Sequence, residues 1–283
     1  MLNLDYEIRV AKITEPVSVW FYGDCHFGAT GCSESEMQKT LDAVKADPNS
    51  YLVCMGDYCD FINISDKRFD LKQVAERFRD KLDNLAEAQA DAFIEMHRPL
   101  RDKIICMIPG NHDELIRMKY HRAIAGHIAA SLGAPFLDVV AQLRIRVTDG
   151  THKYMVKGTI SHAEKNATTV GGKITTTGRM ADYYGRDDFF AQGHTHEYAT
   201  VDGRNLGVRG RFKHLGNPQT EERARIVFLT GGYLKTYSEN GASYGEKRGY
   251  RPCRLGSPRL VMRMRRTSSQ DGRSTDFVEL HGI

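Results

Sequence analysis

Five short polar motifs lie along the chain, and each carries side chains that can bind a divalent metal ion. In chain order they are Gly23-Asp24-Cys25-His26, Gly56-Asp57-Tyr58-Cys59-Asp60, Gly110-Asn111-His112-Asp113, the single His162 and Gly193-His194-Thr195-His196. Each motif follows an apolar run that is typical of a buried strand. Because strand ends bring distant parts of a chain into one crevice, we expect these side chains to meet. Together they make up the ligand set of a two-metal hydrolase.

The predicted chemistry is hydrolysis at phosphorus by a pair of divalent ions. Two ions roughly 3.5–4 Å apart activate a water and stabilise both oxygens of an in-line displacement. One carboxylate must neutralise charge on both ions, and Asp57 is the candidate for that bridge. Asp24 and His26 are spaced to reach a single ion, whereas His194 and His196 can serve one ion each.

The other polar residues of the motifs complete the predicted site. Asn111 adds an amide oxygen and His162 a further imidazole. Such mixed ligands favour Mn²⁺, Fe or Zn²⁺ over Ca²⁺ or a bare Mg²⁺ site, so we expect two divalent ions, with Mn²⁺ first and Fe, Zn²⁺ or Mg²⁺ as alternatives. His112 is interpreted as a general acid, because an imidazole near its natural pKa can protonate a departing alkoxide. Asp60 and Asp113 are candidates to orient its ring.

Each motif has an ordinary alternative explanation when it is taken alone. A His-x-His pair is more often a surface strand pair, and an isolated histidine such as His162 is usually a structural residue. All the motifs in this order, each after a β-run, favour one common site. The remaining histidines lack that context and are interpreted as structural: His97, His121, His127, His152, His214 and His281.

Alternating strands and helices are predicted for the first half of the chain. Strands are expected at residues 17–22, 51–55 and 103–108, each ending at a motif. Helices are expected at residues 33–47, where Ser33 and Glu36 can form a capping box, at 71–96 and at 114–132. This alternation is typical of parallel βαβ units.

Strands dominate the prediction for the second half. They are expected at residues 142–148, 154–161, 188–192, 197–201, 225–230, 259–264 and 276–280. Residues 166–186, rich in Thr and Gly, are predicted as a loop that borders the site, either binding substrate or crossing the surface. Since no linker or repeat interrupts the pattern, residues 1–283 are expected to form one domain of two sheets with helices outside.

The composition is that of a globular protein, with 41% hydrophobic residues and a formal net charge of +4. Six cysteines without a Cys-x-x-Cys pair are interpreted as reduced thiols of a cytoplasmic protein. The N-terminus is polar and acidic, unlike a secretory leader, and no apolar run approaches the ~18 residues of a spanning helix. No membrane partner is therefore expected.

Basic residues are concentrated in the chain after Arg204. They form either a solvated surface or a patch that attracts a polyanion. Within the C-terminal segment, about residues 231–283, tyrosines alternate with cations, and Tyr233, Arg248 and Arg251 are candidates to bind substrate. Tyrosine can stack on bases and arginine can bind phosphate, but a Gly-rich loop with packed tyrosines explains the segment equally well.

The five motifs resemble the signature of the calcineurin-like metallophosphoesterases. That resemblance implies a four-layer α/β/β/α sandwich, two mixed β-sheets flanked by helices, that hydrolyses phosphate esters. It implies one metal held by Asp24, His26, Asp57 and His196, and a second held by Asp57, Asn111, His162 and His194. It also implies that His112, paired with Asp60, acts near the leaving group.

Two positions separate branches of that family. Protein Ser/Thr phosphatases usually carry Arg-Gly after the second Asp of Gly-Asp-x-x-Asp, where this chain has Phe61-Ile62, and their third motif ends in Glu, where this chain has Asp113. The chain is more similar to the phosphodiesterase and Mre11-like nuclease branches. We therefore expect a phosphodiesterase acting on DNA, RNA or nucleotides. The alternatives are a phosphomonoesterase or small-nucleotide pyrophosphatase, and a non-catalytic binding scaffold.

Overall fold

The computed structural model of this protein describes residues 2–62, 64, 66–164, 167–185, 187–209, 219–237, 244–247, 249–268 and 274–283. In chain order the strands are β1 (Leu2–Arg9), β2 (Val17–Tyr22), β3 (Ser50–Cys54), β4 (Ile104–Met107), β5 (Val140–Thr148), β6 (Lys153–Ser161), β7 (Phe189–Gln192), β8 (Tyr198–Arg209), β9 (Gln219–Thr230), β10 (Arg259–Ser268) and β11 (Ser274–Gly282). The α-helices are α1 (Glu34–Ala46), α2 (Leu85–His97), α3 (Asn111–Tyr120), α4 (Ile124–Ser131), α5 (Val170–Asp182) and α6 (Tyr244–Lys247).

The first sheet has the strand order β11-β10-β2-β3-β4. Strands β2, β3 and β4 run parallel, whereas β10 pairs antiparallel with both β2 and β11. The parallel strands are near-continuous apolar runs, as strands covered on both faces require. Their carboxyl ends therefore lie at one edge, and each leads into a polar motif.

The second sheet has the order β1-β5-β6-β7-β9-β8. β6, β7 and β9 run parallel to one another, and β8 pairs antiparallel with β9. The edge strand β1 pairs parallel with β5 from Leu2 to Arg9. No strand was predicted there, although Leu4, Tyr6 and Ile8 alternate with polar residues as a half-buried strand requires.

The two sheets pack face to face, with helices on both outer faces. The core between the sheets joins Val19, Phe21 and Ile105 to Leu143 and Phe189. Complete burial of a side chain such as Phe21 contributes roughly 1.5–3 kcal/mol. Residues of α1, α2 and α4 cover the outside of the first sheet, and Ala181 of α5 packs on the second. The predicted α/β/β/α sandwich is confirmed.

The predicted helix at residues 71–96 is wrong in its first half. Only α2, Leu85–His97, is α-helical, and it follows three short 3-10 turns at Leu71–Gln73, Glu76–Phe78 and Leu82–Asn84. Backbone groups in this half bond to residues 28–30 instead of continuing a helix: Gln73 accepts from Thr30 N at 2.7 Å, and Ala75 donates to Gly28 O at 2.8 Å. Tertiary hydrogen bonds thus override the helical periodicity.

One further helix prediction and one loop prediction also differ from the structure. The region 114–132 divides into α3 and α4, because His121 adopts a left-handed conformation with φ 54°. The predicted loop at 166–186 contains helix α5, which begins where the Thr169 side chain accepts a hydrogen bond from Gly172 N at 3.1 Å. Helix α1 begins as predicted after Ser33, but the Ser33 side chain makes no capping hydrogen bond.

All six cysteines are free thiols in the structure, as predicted. Among the helices of the described residues, none has the length and apolar character that crossing a membrane requires.

Candidate metal centre

The predicted ligands follow five strands of the two sheets. Asp24, Asp57 and Asn111 come after β2, β3 and β4 of the first sheet, whereas His162 and the His194-Thr195-His196 turn come after β6 and β7 of the second. These strands are parallel within each sheet, so their carboxyl ends bring the residues to one edge. There the side chains form two neighbouring groups.

The first group consists of Asp24, His26 and His196, whose ligand atoms all lie within 4.8 Å of one another. His196 Nε2 is 3.4 Å from Asp24 Oδ1 and 3.2 Å from His26 Nε2. Two imidazole nitrogens and a carboxylate oxygen that converge in this way suit a transition-metal ion.

The second group consists of Asp57, His162 and His194, again with ligand atoms within 4.8 Å. His162 Nε2 lies 3.3 Å from Asp57 Oδ2, and His194 Nδ1 lies 2.7 Å from Asn111 Oδ1. Asn111 is therefore beside this group, where the family resemblance places it.

Asp57 lies between the two groups. Its Oδ2 is 3.8 Å from His26 Nε2 and 3.3 Å from His162 Nε2, so one oxygen faces ligands of both groups. Its Oδ1 instead accepts a hydrogen bond from His112 N at 2.9 Å. This orientation leaves Oδ2 directed to the site and is the one that a bridging carboxylate needs.

The donors present fit divalent cations. Asp24 Oδ1 and His162 Nε2 are buried without a hydrogen-bond partner. A buried polar group without a partner costs roughly 1–3 kcal/mol, and more when it is charged. Cations in contact with these two atoms would remove that cost.

The pKa values of the buried ligands also indicate that positive charge would stabilise the site. Burial, together with the Asp57 carboxylate, raises the pKa of Asp24 to about 7. Burial opposes ionisation of Asp57 too, but His162 and the other imidazoles outweigh it and hold the pKa of Asp57 well below its usual range. Burial lowers the pKa of His162, yet Asp57 and Asp24 raise it to about 10. Divalent ions would stabilise both carboxylates without protons.

Backbone contacts fix the orientation of the ligands. His162 Nδ1 donates to Met55 O at 2.5 Å, which leaves Nε2 as the metal-facing nitrogen. Asp113 Oδ2 accepts from Gly110 N at 2.7 Å and from Asp57 N at 2.9 Å. Asp113 thus joins two motifs, and these contacts do not involve the His112 ring that it was predicted to orient.

The His112 ring is held by the backbone of Asp60. His112 Nδ1 donates to the Asp60 carbonyl oxygen at 2.6 Å, whereas the Asp60 carboxylate is 4.0 Å from Nδ1. The Asp60 carboxylate is still grouped with His26 and His112, so the role of the Asp60 side chain in orienting the ring stays a prediction. The carboxylate is closer to His26 Nδ1, at 3.4 Å, where it can orient a predicted metal ligand. Since Nδ1 of His112 contacts the Asp60 carbonyl oxygen, the other ring nitrogen, Nε2, is left to contact Arg68, whose Nη1 lies 3.4 Å away.

Left-handed backbone marks the site independently of side-chain chemistry. Among the described residues, positive φ outside glycine occurs at Phe61, at His121 and at five predicted ligands: Asp24, His26, Asp57, His194 and His196. Such conformations are uncommon for non-glycine residues and cluster at functional sites. The ligand turns are tight because each strand end must reverse while its side chain stays directed inward.

Two glycines permit close approach of the motif backbones. A Cβ on Gly110 would lie 2.1 Å from Asp57 Oδ1, and one on Gly232 would lie 2.9 Å from Asp24 Cβ. The residue after Gly232, Tyr233, donates its backbone N–H to Asp24 O at 2.9 Å. The Gly231-Gly232-Tyr233 segment therefore packs beneath the first motif.

The predicted substrate-binding residues have different positions. Tyr233 is completely buried, and its hydroxyl contacts Thr40 at 2.8 Å and Ser257 at 2.9 Å, so the prediction that it stacks on a base is wrong. Arg248 lies outside the described residues. Arg251 is exposed, and its guanidinium contacts the buried Glu197, next to His196, at 2.5 Å. Its contact with substrate stays a prediction.

Comparisons with known proteins give one family match and two distant structural similarities. The profile of the calcineurin-like phosphoesterases matches residues 17–228. Vps29 of Chaetomium thermophilum is similar with 10% identity and a TM-score of 0.34, covering 94% of this chain and 97% of that chain. A conserved uncharacterized protein of Streptococcus pneumoniae TIGR4, named a predicted phosphoesterase, is similar with 12% identity and a TM-score of 0.34, covering 94% and 99%. Among curated proteins there is no match.

Proposed function

The chain belongs to the calcineurin-like phosphoesterase family, and we propose that it is a dinuclear, Mn²⁺-dependent phosphodiesterase of nucleic acids or nucleotides. The observation that carries the proposal is the position of Asp57 Oδ2, which faces His26 of one ligand group and His162 of the other. One carboxylate oxygen that faces ligands of both groups would let Asp57 help to hold two cations, which would supply metal-pair chemistry.

The residues of the chain divide the chemical work. When bound, two divalent ions supply an activated water and stabilise charge on the phosphoryl oxygens. Asp57, held by the His112 N–H, keeps its Oδ2 between the two ligand groups. His112, held through Nδ1 by the Asp60 carbonyl, presents Nε2 to the site, where the protonated ring gives its proton to the leaving oxygen.

A small phosphoester is the second candidate substrate. The burial of Tyr233 and the contact of Arg251 with Glu197 engage two residues that were expected to bind a polymer. The missing arginine at position 61 still favours diesters over phosphoproteins, since Phe61 is buried there. A non-catalytic scaffold is a third possibility, but all the predicted ligands are present in this chain.

The test of the proposed activity is hydrolysis of an aryl phosphodiester before and after chelation, with Mn²⁺ restored. We expect Asp57→Asn to lose metal and activity together, because the bridging oxygen loses its charge. Asp42→Asn on the exposed face of α1 is the matched control and should behave as wild type. A folded wild-type protein with no turnover on any phosphoester, with any divalent metal, would favour the scaffold.

The salt dependence of oligonucleotide binding tests whether the substrate is a nucleic acid or a small phosphoester. Each phosphate that a protein neutralises releases counterions, so binding of a single-stranded oligonucleotide should weaken steeply with salt. The double substitution Arg248→Ala/Arg251→Ala should reduce that dependence. Binding that is insensitive to salt and to this substitution would identify the small phosphoester as the substrate.

A further inference from the structure

The guanidinium of Arg68 lies beside Nε2 of His112. Arg68 Nη1 is 3.4 Å from His112 Nε2. Because His112 Nδ1 donates to the Asp60 carbonyl oxygen, the neutral ring has its lone pair on Nε2, facing a group that can only donate. A cation and the predicted general acid therefore converge on the same space.

A local ion pair fixes the orientation of Arg68. Its Nε donates to Asp66 Oδ1 at 3.2 Å and its Nη2 to Asp66 Oδ2 at 3.0 Å. The Arg68 backbone N–H also donates to Asp66 Oδ1 at 2.9 Å. Hydrogen bonds from Arg68 lower the pKa of Asp66 to about 2, so this carboxylate is ionised at neutral pH. The two-point contact occupies one edge of the guanidinium and turns Nη1 to His112.

Two other cations near the ligand turns, both among the described residues, are directed elsewhere. Lys173 Nζ donates to Thr195 O at 2.8 Å and lies 3.4 Å from Glu197 Oε2. Arg251 contacts the other oxygen of Glu197. Both side chains therefore anchor neighbouring segments to the His194-Thr195-His196 turn, whereas Arg68 is directed to the predicted acid.

We propose that Arg68 is a substrate-binding residue, which donates Nη1 to a non-bridging oxygen of the phosphate whose leaving oxygen His112 protonates. The inference rests on the proposed function and assigns a residue that no motif contains. A planar guanidinium matches the oxygens of phosphate, and charge-assisted hydrogen bonds are about twice as strong as neutral ones. When the ring is protonated, His112 Nε2 and Arg68 Nη1 are two donors 3.4 Å apart, and each can contact a different oxygen of one phosphate.

The experiment measures binding of inorganic phosphate by calorimetry, and hydrolysis of an aryl phosphodiester, with Mn²⁺-loaded protein. Arg68→Met should weaken phosphate binding and reduce kcat/KM, each by roughly 10- to 100-fold, the range for a hydrogen bond to a charged group. Metal content should equal that of wild type, because Arg68 belongs to no ligand group.

The matched control is Arg144→Met. Arg144 makes the same two-point contact, from Nε and Nη2 to Asp5, but it lies on β5 and pairs with β1 at the edge of the second sheet. Its substitution should leave phosphate binding and kcat/KM unchanged.

The outcomes separate this inference from the proposed function. If wild type hydrolyses phosphodiesters but Arg68→Met binds phosphate and turns over like Arg144→Met, the role of Arg68 is wrong and the function stands. If phosphate binding depends on Arg68 while wild type hydrolyses no phosphoester, Arg68 binds phosphate as proposed, but the proposed function is wrong. Loss of metal in Arg68→Met, or no phosphate binding by metal-loaded wild type, overturns the role.

Discussion

Gly110→Ala is a one-carbon change that should disable the site. A Cβ at this position would lie 2.1 Å from Asp57 Oδ1, 2.3 Å from Asp57 N and 2.7 Å from Asp57 Cγ. Ordinary van der Waals contact begins at 3.4 Å, so the carboxylate must move by more than 1 Å. Asp57 N is backbone, and rotation of a side chain alone cannot relieve the contact.

The magnitude follows from that displacement. A misplacement of about 1 Å at a reacting centre costs on the order of 10²-fold in rate. Asp57 also faces both ligand groups, so we expect metal stoichiometry to fall as well. Forcing one carbon into packed surroundings should reduce the free energy of unfolding by about 1–3 kcal/mol.

The assay is metal content after dialysis against Mn²⁺, followed by hydrolysis of an aryl phosphodiester and by denaturant unfolding. Gly178→Ala is the control, because a Cβ there meets nothing within 4 Å and Gly178 lies inside α5. This variant should retain metal and activity. Its free energy of unfolding should rise by roughly 0.5–1 kcal/mol, because alanine is more favourable than glycine inside a helix. If Gly110→Ala keeps both metals and the wild-type rate, the close approach of these motifs has no functional importance.

Three other substitutions separate catalysis, pH response and stability. His112→Ala should retain metal but lose roughly 10²–10⁴-fold in the rate of hydrolysis. The loss should be smaller for substrates with good leaving groups, which need little protonation. An equal loss for all leaving groups would exclude the general-acid role. Burial lowers the pKa of His97 to about 4. Below pH 6.5 the unfolded chain therefore binds a proton at His97 that the folded chain does not bind. The free energy of unfolding falls as the pH decreases from about 6.5 to 4. His97→Gln should reduce that loss by about 3 kcal/mol between pH 7 and 4, measured by denaturant unfolding, and identical pH profiles would contradict this. Tyr233→Phe should reduce the free energy of unfolding by about 1–3 kcal/mol, because the buried hydroxyls of Thr40 and Ser257 lose a partner. Its affinity for an oligonucleotide should equal that of wild type. Weaker oligonucleotide binding at unchanged stability would restore the substrate role of Tyr233.

The ligand positions could be predicted because the physics that sets them is local. An apolar run predicts a buried parallel strand, and the polar residue that follows it must lie at the carboxyl edge of the sheet. Asp24, Asp57 and Asn111 meet His162 and His194 for that reason. The inference requires only that the carboxyl edges of the two sheets lie together, not the details of the packing between the sheets.

Residues whose roles depend on tertiary contacts could not be found in this way. Arg68 lies beyond Asp60 in a segment between strands, and its position is set by an ion pair that no periodicity reveals. Tyr233 alternates with cations in sequence, but its burial depends on Thr40 and Ser257, far along the chain. The 3-10 turns before α2 were missed because their backbone groups bond to the segment after His26.

The left-handed ligand residues carry an implication for inheritance. Each such conformation outside glycine costs roughly 1–3 kcal/mol, and the fold bears it at Asp24, His26, Asp57, His194 and His196. Glycine would adopt these conformations without strain. A descendant of this chain that no longer bound metal would therefore gain backbone stability from glycine at these positions. Loss of catalysis should then be visible in sequences, with glycine replacing the former ligands first.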